Sequence, residues 1–396
     1  MKKVLSFLLA FVLFMSIVSG PSSASAARSF SDVSSSYWAY KEITYLTEKG
    51  IINGYQNGKF GVSDSITRSQ GAIMLTRALK LNTTSVKNPG FKDVPTSHPA
   101  YKEIAAATNA GLFSKATTFN PQGKLTRAQM AKILVQAFQL STSQSTTFTD
   151  VNQSHWAHAP VAKLVGHNIT TGYNDGSYKP NASVSRTQFS VFLARALDNT
   201  FKPTVLVYPV QVAPGLFYPQ VKGLPTNVTA SINRTLKDHA LQSRELYLEN
   251  QALAKEWADD PFSKYFTYNL NYEVKRADTN YISIVLSDYE YSGGAHGLYW
   301  LTAYNFDAKT GQVVSFEDVT KNPRYVSIIN NEVKRQAAEK IRKGELWSFD
   351  GFKSIDPDVD QFYMTNNGIT VFFGLYEYTS YAEGIPEFPI PFSAFR

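Results

Sequence analysis

Thr67-Arg68-Ser69-Gln70, Thr126-Arg127-Ala128-Gln129 and Ser185-Arg186-Thr187-Gln188 are three copies of one turn, and each step from Arg68 to Arg127 to Arg186 is 59 residues. A fixed period of that size marks an array of one repeated unit. Each copy has the form of a capping box. The Ser or Thr takes the backbone N–H of the third helical residue, and the Gln there reaches back to the cap. Apolar residues follow at helical spacing: Ile73, Met74, Ala78 and Leu79, then Ile133, Leu134, Ala137 and Phe138, then Val191, Phe192, Ala196 and Leu197. That spacing predicts three helices, each with one buried face.

The arginine is the odd member of the turn. A helix N-terminus carries partial positive charge, so a cation in its first turn costs a few tenths of a kcal/mol. One explanation is an anion pocket, in which free N–H groups at the helix start and a guanidinium fork hold a carboxylate or phosphate. An ion pair with a nearby Asp, or a solvated Arg, is the alternative. Three copies in register favour the pocket.

The 396 residues suggest two or three domains. The chain has no cysteine, which excludes disulfides, thiolate zinc sites, a cysteine nucleophile and a lipid-modified cysteine. Lys2-Lys3, an apolar run from Val4 to Val18 and Ala24-Ser25-Ala26 read as a secretory signal over residues 1–26. The run is shorter than the ~20 residues a spanning helix needs, so the expectation is an exported chain with no membrane span. Without Lys2 and Lys3 there remain 37 basic and 32 acidic residues, a net charge of +5. That mild excess suits an anionic wall polymer. No basic stripe or nucleic-acid motif accompanies it, so nucleic acid is not an expected partner.

Each repeat opens alike, with Phe30-Ser-Asp32-Val33, Phe91-Lys-Asp93-Val94 and Phe148-Thr-Asp150-Val151. A helix follows, marked by Trp38, Ile43 and Leu46, by Tyr101, Ile104 and Ala107, and by Trp156, Val161 and Leu164, and a turn ends it at Gly54-Tyr55, Gly111-Leu-Phe and Gly172-Tyr173. These motifs, three times in order, resemble tandem S-layer homology domains at about 28–85, 86–145 and 146–198. The resemblance implies a mainly helical, pseudo-threefold assembly whose grooves bind secondary cell-wall polysaccharide through a pyruvylated amino sugar. Carried over position by position, it implies glycan contacts from Asp32, Trp38, Gly54 and Arg68, from Asp93 and Arg127, and from Asp150, Trp156, Gly172 and Arg186. Repeat 2 departs from the pattern, with Pro99 in place of Trp and Lys115 near the Gly54 position. Gln stands where the family usually has Glu in all three caps, which removes a negative charge from beside the anion site. Trp offers a flat face to a sugar ring, and Arg offers charge with two parallel donors.

Ser141 to Thr147 is polar and reads as a loop. His155, His158 and His167 have no carboxylate cluster with them, so no metal site is expected, and no cofactor is implied. The repeat period stops near Asp198–Pro203. Beyond it, a β-like run at Val205–Val212, a helix at Thr226–Trp257, strands at Phe266–Val274 and Tyr281–Glu290, and a third strand through Phe306 are expected. A helix from Pro323 to about Lys343 and strands at Phe362–Tyr376 and Ile385–Phe392 follow. That order predicts one α+β domain over 204–396 with a mostly antiparallel sheet.

Asp288, Ser292 and His296 invite a hydrolase or esterase reading. The glycines around them describe a tight strand connection instead, and a triad needs the imidazole bonded to the serine and oriented by the acid. The same stretch, Tyr291-Ser-Gly-Gly-Ala-His-Gly297, with Asn305-Phe306-Asp307, Tyr376-Glu377-Tyr378 and Tyr381-Ala382, resembles the extracellular domain of lysozyme-sensing anti-sigma factors, which is also appended to some peptidoglycan deacetylases. The resemblance implies a non-catalytic binding module, with lysozyme as partner in the sensing members. His296, Tyr376, Tyr378 and Tyr381 are the candidate partner contacts; the tyrosines suit a sugar platform or a protein hot spot, with buried strand aromatics as the alternative. The expectation is a secreted protein of the bacterial wall or S-layer surface: repeats that attach to a wall glycan, and a C-terminal domain that binds without catalysis.

Overall fold

The computed structural model describes residues 29–396 except 145, 147 and 360. The signal segment expected at 1–26 lies outside the described residues.

The repeat region holds six helices: α1 (Tyr40–Glu48), α2 (Arg68–Ala78), α3 (Tyr101–Asn109), α4 (Arg127–Ala137), α5 (His158–Gly166) and α6 (Arg186–Leu197). The capping box forms in full at Thr67, Thr126 and Ser185, and each cap contributes about 1 kcal/mol. Trp38 and Trp156 fall in the turns before α1 and α5 rather than within those helices.

The repeats interlock. Helix α2 packs on α3, α4 on α5, and α6 returns to α1. At the centre, Ile66 N–H donates to Val184 O, Val184 N–H to Leu125 O, and Leu125 N–H to Ile66 O, each at 2.9 Å. All three side chains are fully buried, so a closed ring of three hydrogen bonds marks the pseudo-threefold axis. Phe60, Phe119 and Tyr178, at the same 59-residue step, fill equivalent buried positions; burying each large side chain contributes about 1.5–3 kcal/mol.

After a 3-10 turn at Asn199–Phe201, strands β1 (Leu206–Ala213) and β2 (Leu216–Lys222) form a hairpin, and α7 (Thr226–Glu256) follows. Strands β3 (Thr267–Ala277), β4 (Tyr281–Tyr291) and β5 (Leu298–Asp307) complete a sheet of order β1-β2-β3-β4-β5, antiparallel except where β2 meets β3. Val228, Ile232, Leu236 and Ala240 lie four apart on α7 and press onto this sheet. Next come α8 (Phe316–Thr320), α9 (Tyr325–Lys343) and a second sheet of β6 (Gln361–Met364), β7 (Gly368–Phe372) and β8 (Glu387–Pro391). Ile329, Val333 and Ala337 of α9 cover the second core.

Three details differ from the sequence expectation. The hairpin partner β2 lies outside the expectation, because Pro219 interrupts its pattern and Gly215 and Gly223 flank it. The strand expected at Phe362–Tyr376 is two strands folded about Asn366-Asn367. Pro323 precedes the α9 cap Arg324 instead of occupying the first helical position.

The two regions touch. Asn174 Nδ2 donates to Tyr272 O at 3.0 Å, and Gly176 (φ +71°) lies so close to the Phe217 ring that a Cβ there would come within 2.2 Å of it. A cleft of about 240 Å³ beside this contact is lined by Phe148, Val165, Tyr208, Val210 and Phe217, among others.

Candidate functional site

Most N–H groups at the helix starts are already bonded. Arg68 N–H and Ser69 N–H donate to Gly123 O and Pro121 O, Arg127 N–H and Ala128 N–H to Ala182 O and Pro180 O, and Arg186 N–H to Asp64 O. Each acceptor belongs to another repeat, so these groups join repeats, and the helix-terminus half of the expected anion pocket is overturned. The arginine side chains are partly committed too. Arg68 Nε donates to Phe119 O (2.8 Å), Arg127 Nε to Tyr178 O (2.7 Å) and Arg186 Nε to Phe60 O (2.8 Å). Each guanidinium lies over the ring whose carbonyl it holds, at 4.8, 4.6 and 4.9 Å.

The three differ in what covers them. Tyr173 stacks on Arg127 at 4.7 Å and Tyr55 on Arg186 at 4.8 Å, and both arginines are only 3% exposed. Arg186 is further used by Asn53 O, which accepts from its Nη2 at 2.7 Å. Repeat 2 has no such tyrosine. Ile51, Leu112 and Ile169 donate equivalently to the preceding helices, and Gly58, Thr117 and Gly176 accept equivalently from the repeat openings. Between those landmarks repeat 2 is two residues shorter. Arg68 is therefore left half-buried, with no hydrogen-bond partner for its terminal nitrogens among the described residues.

A groove of about 270 Å³ opens there, lined by Arg68, Phe113, Ser114, Gln129, Lys132 and Trp156, among others. Trp156 is 57% exposed and Lys132 is exposed, so one wall is an indole face and two cations stand beside it. Burial lowers the Arg68 guanidinium pKa while Asp93 raises it; the group stays charged at any ordinary pH. Gln129 spends its side chain on the α4 cap, where Glu would have added a negative charge.

The allotment of residues by repeat changes accordingly. Trp156 of repeat 3 joins Arg68 of repeat 1, and the turn between them comes from repeat 2, while Lys115 is outside the lining. Trp38, 63% exposed, adjoins the start of α6, where its neighbour Tyr37 bonds Thr187 (3.3 Å). It thus belongs beside the Arg127 position. The missing Trp at Pro99 affects the Arg186 position, since α3 packs on α2.

Asp32, Asp93 and Asp150 point inward to backbone. Asp32 accepts from Phe60, Gly61 and Val62 N–H, Asp93 from Phe119 and Asn120, and Asp150 from Tyr178 and Lys179. Burial pushes the Asp32 and Asp93 carboxyls up, yet the backbone donors outweigh it and hold both below the ordinary carboxylate range. Gly54 and Gly172 make room for Phe30 and Phe148, whose rings would lie 2.3 and 2.2 Å from an added Cβ. These five positions have structural work that accounts for their identity. His155 Nδ1 accepts from Ala157 N–H and His167 Nε2 from Thr142 N–H; among the described residues no group of three or more His, Asp or Glu is placed to hold a metal.

In the C-terminal region Asp288 and His296 have different partners, and neither bonds Ser292. Asp288 is 1% exposed and accepts from Ser243 Oγ (2.6 Å) and Tyr268 OH (2.8 Å), with His239 Nε2 at 2.9 Å. Tyr304 OH meets the other nitrogen of His239 at 3.1 Å. This buried network was missed in the sequence, although His239 and Ser243 lie four apart in line with the apolar stripe of α7. It is not a triad, because the serine bonds the acid and not the imidazole. His296 instead stacks on Tyr381 (3.7 Å, 18°) and meets Tyr376 OH at 3.1 Å. Tyr378 turns away from them into Phe349, Phe352 and Phe373.

Comparison with known proteins agrees with this division. The S-layer homology domain model matches residues 29–70, 90–131 and 147–190. The deacetylase PdaC model matches 215–299, and a family of unknown function, DUF3298, matches 317–393. The chain is 36% identical over 177 residues to the S-layer protein EA1 of Bacillus anthracis, covering 43% of this chain and 20% of that protein. It is 35% identical over 186 residues to an S-layer protein of Bacillus licheniformis, covering 46% and 21%. A solved DUF3298 protein of Bacteroides fragilis is 18% identical with a TM-score of 0.36, covering 48% of this chain and 90% of that one. The chain spans about a fifth of the length of the two S-layer relatives. It carries three S-layer homology domains followed by the two further segments, and those domains place it at the cell surface. No helix among the described residues is long and apolar enough to cross a membrane.

Proposed function

We propose that the repeat region anchors the chain to an anionic cell-wall polysaccharide through the groove at Arg68, and that the C-terminal region acts by binding rather than catalysis. One observation carries the first half: Arg68 keeps its terminal nitrogens in an open groove between Trp156 and Lys132. A sugar ring laid on the indole puts an acidic substituent within reach of two cations, and a pyruvate ketal on an amino sugar has that form. A charge-assisted hydrogen bond contributes about 1.5–3 kcal/mol, so a single groove binds modestly.

The second half is supported by the different partners of Asp288 and His296, neither of which bonds Ser292, which leaves no nucleophile bonded to a base at that loop. The test is retention of the full chain on purified wall sacculi before and after chemical removal of the ketal. Binding is expected to vanish with the ketal, and binding that survives its removal overturns the carboxylate reading.

A further inference from the structure

A cluster of three rings lies at the β4–β5 end of the first C-terminal sheet. His296, in the β4–β5 connection, is exposed and fixed on three sides. Its Nδ1 meets Gly297 O at 3.1 Å and so must donate, which leaves Nε2 to accept from Tyr376 OH. Tyr381 stacks beneath it and donates its own hydroxyl to Gly297 O at 2.8 Å. The three rings form a preorganised platform, so binding loses little side-chain freedom. Tyr376 is 54% exposed and holds φ +66°, a left-handed conformation in which a bulky residue is an outlier. Strain of this kind collects at ligand sites.

Glu377, next to Tyr376 in the chain, lines a cavity of about 180 Å³ whose walls also include Trp300, Phe372, Phe373 and Gln361. Glu377 Oε2 is taken by Gly374 N–H, and Gln361 Oε1 by Ala303 N–H. Glu377 Oε1 and the Gln361 amide nitrogen have no partner among the described residues. Aromatic walls with a few convergent polar groups describe a small-ligand site.

The stretches that build it carry charge of one sign. No Lys or Arg occurs from Ala277 to Ala308 or from Ser354 to Phe395, the two stretches that build the platform and cavity, although the whole chain has a net charge of +7. We propose that this site binds an amino sugar carrying a free ammonium group. Its ring would lie on the Tyr376–His296 surface with the ammonium directed to Glu377 and the adjoining aromatic faces, where a cation is attracted to π-systems. This names a ligand for the region read above as a binding part, and it does not depend on the Arg68 groove.

The test is calorimetric titration of the full chain with tetraglucosamine, at a pH where its amines are protonated, and with its N-acetylated counterpart. Tetraglucosamine is expected to bind at least about ten-fold more tightly. Tyr376→Gly should weaken it by about ten-fold or more without lowering the unfolding midpoint, because glycine takes φ +66° freely. Glu377→Gln should also weaken it, and Arg68→Ala should leave it unchanged. Equal affinity for the two tetramers, absence of binding, or full affinity in both Tyr376→Gly and Glu377→Gln overturns the proposal. So does loss of binding in Arg68→Ala, which would move the sugar to the groove, or equal competition by polylysine, which would make this a site for basic chains.

Discussion

Arg68 of the first repeat and Trp156 of the third line one groove, across a turn contributed by the second. Arg68→Ala is therefore expected to weaken retention on wall sacculi by about 10- to 150-fold, the equivalent of one charge-assisted bond, and Trp156→Ala by a smaller factor. Arg127→Ala should act differently. Its side chain is buried and bonded to Tyr178 O, so the change should cost about 1.5–3 kcal/mol of stability. Thermal unfolding measured beside sacculus binding separates the two effects.

The short turn of repeat 2 makes a structural prediction. Replacing residues 113–116 with the sequence of 170–175 would install a Gly-Tyr turn like those over Arg127 and Arg186. The tyrosine should then cover Arg68 and abolish sacculus binding while the helix content measured by circular dichroism is kept. In the opposite direction, Tyr173→Ser should expose Arg127 beside Trp38 and raise binding. Unchanged binding in both variants would mean that the tyrosines do not control access.

Acid should loosen the repeats. The folded-state pKa values of Asp32 and Asp93 are depressed, so their stabilisation is complete above the unfolded carboxylate value of about 3.9 and is lost as pH falls through the lower folded values. Asp32→Asn should lower the melting temperature at neutral pH and flatten its fall below about pH 4. A melting curve parallel to that of the unaltered chain across that window would contradict this.

Asp288→Ala should destabilise the C-terminal region by roughly 2–4 kcal/mol, because it orphans the buried hydroxyls of Ser243 and Tyr268 and one nitrogen of His239. Ser292→Ala, at an exposed loop residue, should change stability by less than about 0.5 kcal/mol. Chemical denaturation of the two variants checks the contrast.

The helix starts were legible from sequence because a capping box is local: Thr67, Gln70 and their counterparts act within one turn. The groove was not, because its parts come from three repeats, and spacing along the chain does not reveal that α1 closes onto α6. A length comparison of 51–58, 112–117 and 169–176 would have exposed the missing tyrosine. The guanidinium groups were rightly noticed as unusual, yet Arg127 and Arg186 are explained by carbonyls and rings that only folding brings to them. In the C-terminal region, alternation marks β3, whereas β2 escapes because Pro219 interrupts it and Gly215 and Gly223 flank it. Asp288 was noticed beside the wrong histidine, since His239 reaches it from a helix distant in the chain.

The ring made by Ile66, Leu125 and Val184 bears on how such a region can be altered. Every member both gives and receives a bond, so removing one repeat leaves an unmatched donor and acceptor at the driest point of the region, and inserting a fourth has no vacancy to enter. Unlike an open solenoid, which lengthens or shortens by single units, this array should stand or fall as a set of three, and a fragment of two should have no stable shape of its own.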